Sequence, residues 1–592
     1  MIQGGIMRRK WICALLCISF VIPFAACAVK ENSSYGDGGL QKGAYKEFIT
    51  VDVYDEFANY QGVQSGWFAK AVKDRFHMEL NFIAPNVSGG GDTLYQTRAA
   101  AGSLGDLILI NTSNGKFKEL VESGLVMDCT EFIKEKEIMK HYGDAVRKTN
   151  ELTQSDGIYG FPNSISSQPA TVSSESLDPV FGPYIRWDYY KKAGCPEMKN
   201  LADFLDVLEQ MQRLAREEEG DDDIYAVSLF RSWDYSMMNN AKQIACMYGY
   251  DEQGFILARA DGQDYQNIAD KDSLYIKALR FLNEANARGL VNPESVSQDY
   301  DNWLSGYDSG KVLYSPWPWA GQSTYNTASN KAAGRGFMMA AVKDMRILSY
   351  GCWPQGDSAR VIAIGKGTKD PQRLADFIDW LYSPEGIEMS GQANGAAGPK
   401  GLTWDIGEDE KPVLTAFGKQ ALPNNPARVP EDYGGGRWDA GVSALNFRTV
   451  NLAETDPVTG YPYDYLCWES VREDTRSALD ADWSSTMGAD TAMEYLEQHD
   501  MLLTAPGANY STPAEDANIT TVRDQCKKTV IDYSWRMIFA PMDEFDALLT
   551  EMQHTLKGLG YDAVCSVDLK NAKDQAAARE EVAERTAEKK NP

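Results

Sequence analysis

Four short segments of this chain place tryptophan beside side chains that donate or accept hydrogen bonds. They are Arg231-Ser232-Trp233-Asp234-Tyr235, Ser315-Pro316-Trp317-Pro318-Trp319, Tyr350-Gly351-Cys352-Trp353-Pro354-Gln355 and Gly436-Arg437-Trp438-Asp439. An indole offers a flat apolar face, and a guanidinium offers a fixed fork of donors. Sugar rings need that combination, because they carry apolar C–H faces and a rim of hydroxyls. Three of the segments adjoin strand-like runs, where α/β proteins place ligand contacts. Trp233, Trp317, Trp319, Trp353, Trp438 and Arg231 are therefore candidate ligand residues, and Arg231 also suits a uronate carboxylate. Core packing or a surface ion pair is the competing role for each. Asn111, after the apolar run 106–110, could bond hydroxyls or cap a helix, with the cap favoured.

Other chemistries find less support. The four histidines, at 77, 141, 499 and 554, stand far from one another, which removes the usual zinc-hydrolase spacings. Gly89-Gly90-Gly91-Asp92-Thr93 resembles a phosphate loop but lacks the Gly-Lys-Ser/Thr ending, and reads as a turn into a helix. No Gly-x-Ser-x-Gly nucleophile motif occurs. The 85 acidic residues would permit a glycosidase pair, but abundance does not establish pairing. A net charge of −27 argues against nucleic acid as a partner.

The elements that must hold these residues alternate. Residues 49–54, 78–83 and 106–110 read as strands, and 66–76 and 94–101 as helices. That βαβαβ rhythm predicts an α/β sheet. A second series follows, with helices at 201–215 and 274–288 and strands at 224–229 and 311–314. Residues 360–364 read as a strand and 374–381 as a helix. From about residue 400 the chain is richer in Gly, Pro and Asn, and 572–590 reads as a solvated or frayed charged helix.

The N-terminus carries Arg8-Arg9-Lys10, an apolar run from 11 to 23, and Phe24-Ala25-Ala26 before Cys27. This is a secretory signal, too short for a stable membrane span. It resembles bacterial lipoprotein signals, which implies cleavage after residue 26, a lipid on Cys27 and a flexible tether over 27–47. The seven cysteines of the body (129, 195, 246, 352, 467, 526, 565) form no disulfide framework.

Several local signatures occur in a consistent order. Arg186-Trp187-Asp188-Tyr189-Tyr190-Lys191-Lys192-Ala193-Gly194, the helix at 200–208, the Trp-rich turn at 309–319, the helix and Ser383-Pro384-Glu385-Gly386 turn at 369–386, and 544–561 span most of the body. Together they resemble the family 1 extracellular solute-binding lipoproteins of carbohydrate ABC transporters, in their long lipoprotein-like branch and with likeness to maltodextrin-binding proteins. The resemblance implies an α/β, two-lobed periplasmic-binding-protein-like fold with a multi-crossing hinge. Lobe one would take 48–165 and 340–398, and lobe two 166–339 and 399–592 with a helical C-terminal extension. It further implies a monomer that is not an enzyme, anchored by lipid to the extracellular face of the cytoplasmic membrane. Such a protein passes an oligosaccharide to a two-subunit permease, and Trp317 matches a ring-stacking position. Members binding acidic sugars carry a calcium loop after the helix matching 201–213. Here Glu217-Glu218-Glu219-Gly220-Asp221-Asp222-Asp223 lacks its alternating spacing, so a solvated acidic loop without a metal cofactor is favoured over a calcium site. A polysaccharide hydrolase or lyase and a peptide-binding lipoprotein are the alternatives.

Overall fold

Successive side chains of a strand point to opposite faces, and in the first sheet both faces are covered. Val51 and Val53 of Ile49–Asp55, Leu107 and Leu109 of Leu107–Asn111, and Ile362 and Ile364 of Asp357–Ile364 enter one apolar core. Tyr54, Ile108, Ile110, Val361 and Ala363 enter a smaller one on the other face. The computed structural model describes residues 45–588 except 89–90, 392–394, 423–424 and 511. The expected signal 1–26, Cys27 and the tether as far as residue 44 lie outside the described residues, as do Gly89 and Gly90 of the glycine-rich turn. Among the described residues no helix is long and apolar enough to cross a membrane.

The sheet has six strands in the order Gly62–Val63, Met78–Ile83, Ile49–Asp55, Leu107–Asn111, Asp357–Ile364, Phe161–Asn163. Ile49–Asp55 pairs in parallel with Met78–Ile83 and Leu107–Asn111, while Asp357–Ile364 returns antiparallel. Helix Gly66–Phe76 buries Trp67, Phe68, Val72 and Phe76 against it. Helix Pro371–Leu381 begins at Asp370, whose carboxylate accepts the Arg373 N–H at 3.2 Å. Its Ser-Pro-Glu-Gly exit has a steric cause. Ser383 Oγ accepts the Gly386 N–H at 3.2 Å, and a Cβ on Gly386 would collide with the Trp380 carbonyl.

The second core is built around a three-stranded antiparallel sheet of Tyr314–Ser315, Tyr184–Arg186 and Phe337–Met339. Helices Leu201–Glu219, Leu274–Ala287, Ala517–Phe539, Phe545–Leu559 and Tyr561–Glu588 pack on it. Residues 572–588 are not a freely solvated tail, because they continue the last helix with Ala572 and Val582 buried. Asp568 of that helix accepts the Phe255 N–H at 2.8 Å and holds Arg523 at 2.6 Å.

Membership of the two large cores shifts the expected lobe boundaries. Ala340, Val342, Met345, Ile347 and Leu348 belong to the second core. Leu402 to Val471 contribute Trp404, Trp438, Phe447 and Trp468 to the first. The segment after 399 is therefore divided, with Leu479 onward in the second core. Large aromatics decide this, since Trp438 stacks on Trp67 at 4.5 Å with planes 6° apart and closes the core over Gly66–Phe76.

The chain passes between the cores three times, at 165–181, 348–361 and 471–479. Ile165 bridges both Trp353 and Val450, and Ser173 bridges Gly351. Glu175, on the first crossing, accepts the Ser349 hydroxyl at 2.6 Å and the Val180 N–H at 2.8 Å. Burial pushes its carboxyl up to about 7. The folded chain thus holds this proton more tightly than the unfolded chain, whose value is near 4.5. The associated stability is complete below pH 4.5 and is lost as pH rises through 7. Urea titrations from pH 4 to 8 should show Glu175→Gln removing a loss on the order of 3 kcal/mol. An unchanged pH profile would show that Glu175 titrates normally.

Candidate functional site

The second core gathers a continuous group of aromatic rings at the ends of its central runs. Residues 225–227 bridge in parallel to Val312 and Val291. The chain leaves this layer at Phe230 and again after Ser315, so the segments at 231–235 and 316–319 emerge side by side. Trp233 stacks on Tyr300 at 4.9 Å and lies 5.7 Å from Trp319 and 6.0 Å from Trp317. Trp317 and Trp319 stack at 5.0 Å. Beneath them, Trp303 contacts Phe230 at 4.5 Å and Trp317 at 5.7 Å, and donates its ring N–H to the Ser228 carbonyl at 3.1 Å.

Within this group the rings divide by exposure. Trp233 is 45% exposed and Tyr235 65%, and Tyr300 and Trp319 are partly open. Trp317 is only 4% exposed and Trp303 is fully buried. The expectation that Trp317 presents its own face for stacking is corrected accordingly, because Trp319, Trp233 and Trp303 cover it. Trp317 and Trp303 form the support, and Trp233, Tyr300 and Trp319 the open shelf.

Asp234 fixes the loop that carries Trp233. Its carboxylate accepts the Trp535 ring N–H at 2.7 Å and the Asn239 N–H at 2.8 Å, and burial pushes it up to about 6. Arg231 stands over the Trp535 ring at 5.1 Å and pairs with Asp532 at 3.7 Å, so helix Ala517–Phe539 engages its fork. Tyr300 and Trp303 were missed in the sequence. Their signal was the Tyr300, Trp303, Tyr307 spacing on one helical face, after Asp299, which caps Tyr300–Asp308 by accepting the Asn302 N–H at 2.9 Å.

The remaining candidates stand elsewhere. Trp438 is fully buried in the first core against Trp67, which removes it as a ligand contact. Trp353 is half-buried on the second crossing, with its carbonyl accepting the Ser166 N–H at 3.0 Å. Asn111 is exposed where Leu107–Asn111 ends, and its side-chain oxygen accepts the Ser113 N–H at 2.8 Å in a local turn, while Thr112 stands at the N-cap position of Ser113–Gly115. Nearby on the same sheet edge, Arg360 lies over the Phe57 ring at 4.4 Å, and Asn446 donates to the Phe57 carbonyl at 2.8 Å.

The acidic stretch ends helix Leu201–Glu219, with Gly220 in the left-handed region at φ 65°. Glu218 pairs with Lys192, Glu219 accepts the Tyr189 hydroxyl at 2.8 Å, and Asp221 holds Lys311 at 3.1 Å. Among the described residues no three His, Cys, Asp or Glu side chains group as metal ligands.

Residues 68–399 match the profile of the bacterial extracellular solute-binding protein family. No curated protein matches the sequence. Solved structures do match the fold. The alginate-binding protein AlgQ2, without calcium ion, aligns at TM-score 0.57 and 14% identity over 89% of this chain and 98% of its own. An EF-hand mutant of the Streptococcus pneumoniae ABC-transporter substrate-binding protein FusA, in complex with fructo-nystose, aligns at 0.55 and 14% over 90% and 100%. The HMO-binding, ABC-transporter-associated solute-binding protein of Bifidobacterium longum infantis aligns at 0.53 and 12% over 90% and 100%. At these identities the likeness establishes the two-lobed fold.

The division into shelf and support has a measurable consequence. Trp303→Ala should cost about 3–5 kcal/mol in urea unfolding, the range for emptying a buried aromatic site. Trp233→Ala should cost about 1 kcal/mol or less, because half its surface already faces water. Equal costs would show that Trp233 is a packing residue.

Proposed function

Because the chain belongs to the bacterial extracellular solute-binding proteins, we propose that it captures a carbohydrate, specifically an oligosaccharide, between its lobes for an ABC importer. The observation that carries this reading is the open shelf of Trp233, Tyr300 and Trp319 on a buried aromatic support. A rigid, partly apolar platform suits a ring with C–H faces, and it places no charge under the stacked sugar. Separate cores joined by narrow crossings suit closure around a ligand.

In this reading the protein does no chemistry; it works by binding the closed form more tightly than the open one. Cys27 carries a lipid that holds the body at the outer face of the membrane, and a monomer presents the loaded cleft to a two-subunit permease. No calcium is required, since Glu218, Glu219 and Asp221 already hold Lys192, Tyr189 and Lys311.

Thermal shift on the full chain against an oligosaccharide panel tests the reading. A ligand at 100 times its Kd adds about 2.7 kcal/mol and raises Tm. Trp233→Ala and Trp319→Ala should each weaken binding at least about 10-fold, as loss of one stacked ring implies. Mass spectrometry should recover the sugar intact. Cleaved product would make the protein an enzyme, and a shift with peptides alone would make it a peptide receptor.

A further inference from the structure

Two arginines beside the crossings, close enough to act on each other through space, have donors that the protein does not fill. Arg448 lies two residues before Val450, which pairs with Ile165 on the first crossing. Its backbone is fixed there, with the Ser164 N–H donating to the Arg448 carbonyl at 2.6 Å and the Ile165 N–H to the Thr449 carbonyl at 3.1 Å. The guanidinium spends only Nε, on Ser164 Oγ at 3.3 Å. Among the described residues its terminal nitrogens meet no acceptor, and no carboxylate stands within ion-pair distance. Arg360 emerges just after the second crossing. It rests on Phe57 and likewise has no hydrogen-bond acceptor or ion-pair partner among the described residues. Both side chains are half-buried.

The carboxylates around them make no direct ion pair with either guanidinium. Asp357 acts on both arginines through space, but its oxygens already accept the Ala359 N–H at 2.9 Å and the Asn163 amide at 3.4 Å. Asp55, next to Arg360, is pushed up to about 8 by burial and is therefore protonated at neutral pH. Asp464 also acts on Arg448, but it accepts the Leu466 N–H at 2.9 Å and burial pushes it up to about 6. Glu454 is held by Ser166 and Ser167, and Glu175 by Ser349. A guanidinium binds oxyanions through paired parallel hydrogen bonds, so two open forks on a fixed backbone are a receptor for negative charge. Closing the cleft over an uncharged ligand would strip water from both cations without replacing it, which penalises neutral sugars.

We propose that Arg448 and Arg360 form an anion clamp at the root of the cleft, which takes a carboxylate or sulfate group carried by the sugar. The clamp rests on the carbohydrate reading and narrows it to acidic oligosaccharides. Because Arg448 adjoins the residues that pair with Ile165, the contact that reads the charge also bears directly on the hinge.

Calorimetry on the full chain with matched pairs tests the clamp. The probes are uronate oligosaccharides with their methyl esters, sulfated oligosaccharides with their desulfated forms, and neutral gluco-, manno- and fructo-oligosaccharides. The tightest ligand should be anionic and lose at least about 10-fold in affinity when neutralised, and the pair that shows the loss distinguishes carboxylate from sulfate. Arg448→Gln and Arg360→Gln should each weaken it about 10- to 100-fold, the worth of a charge-assisted hydrogen bond. Arg448→Lys, which keeps charge but not the fork, should fall between. Circular dichroism and Tm verify folding; should Arg448→Gln unfold, Arg360→Gln, which breaks no hydrogen bond or ion pair, carries the test. A neutral tightest ligand, sensitive to Trp233→Ala and indifferent to both arginine variants, overturns the clamp and leaves the carbohydrate reading intact. Absence of binding to every sugar overturns both.

Discussion

Ile165 pairs with Trp353 on one side and Val450 on the other, and the architecture depends on that junction of three backbone segments. Each large core is closed on itself by apolar packing. Directional backbone bonds and the side-chain contacts of Ser173, Glu175 and Ser349 join them at the crossings, and the Ser358 N–H donates to Asn509 at 3.1 Å. Packed cores resist deformation, whereas short extended segments absorb changes in backbone angle.

The two cores expose different chemistry. The second core supplies aromatic surface, with its most exposed rings supported by Trp303 and Trp317. The first core supplies polar groups at the edge where Ile49–Asp55 and Leu107–Asn111 end. Dispersion is tolerant of ring identity, whereas hydrogen bonds at fixed positions are not. In the proposed reading, general affinity comes from the second core and discrimination from the first.

The regular elements were legible because their apolar periodicity is strong. The runs at 49–54, 66–76, 78–83 and 106–110 became strand, helix, strand and strand with shifts of a residue or so. The division after residue 399 was not legible, because only a distant contact places Trp438 on Trp67. The site was legible in part. Trp233, Trp317 and Trp319 converge, but the sequence could not say which ring would cover which, since exposure is decided by neighbours such as Trp303. Arg448 carried no local signal, because an unsatisfied guanidinium is defined by what fails to surround it.

The interleaving of the two cores also governs how the molecule comes to exist. The first core draws on residues from Val51 to Val471, and the second from Phe181 to Ala572. A chain made from its N-terminus delivers Ile49–Asp55 long before Asp357–Ile364, its indirect neighbour through Leu107–Asn111. Neither core can finish until nearly the whole chain has emerged, and the closures required span hundreds of residues, a topology that folds slowly. During that interval apolar strands stand uncovered, which leaves the folding chain exposed to aggregation.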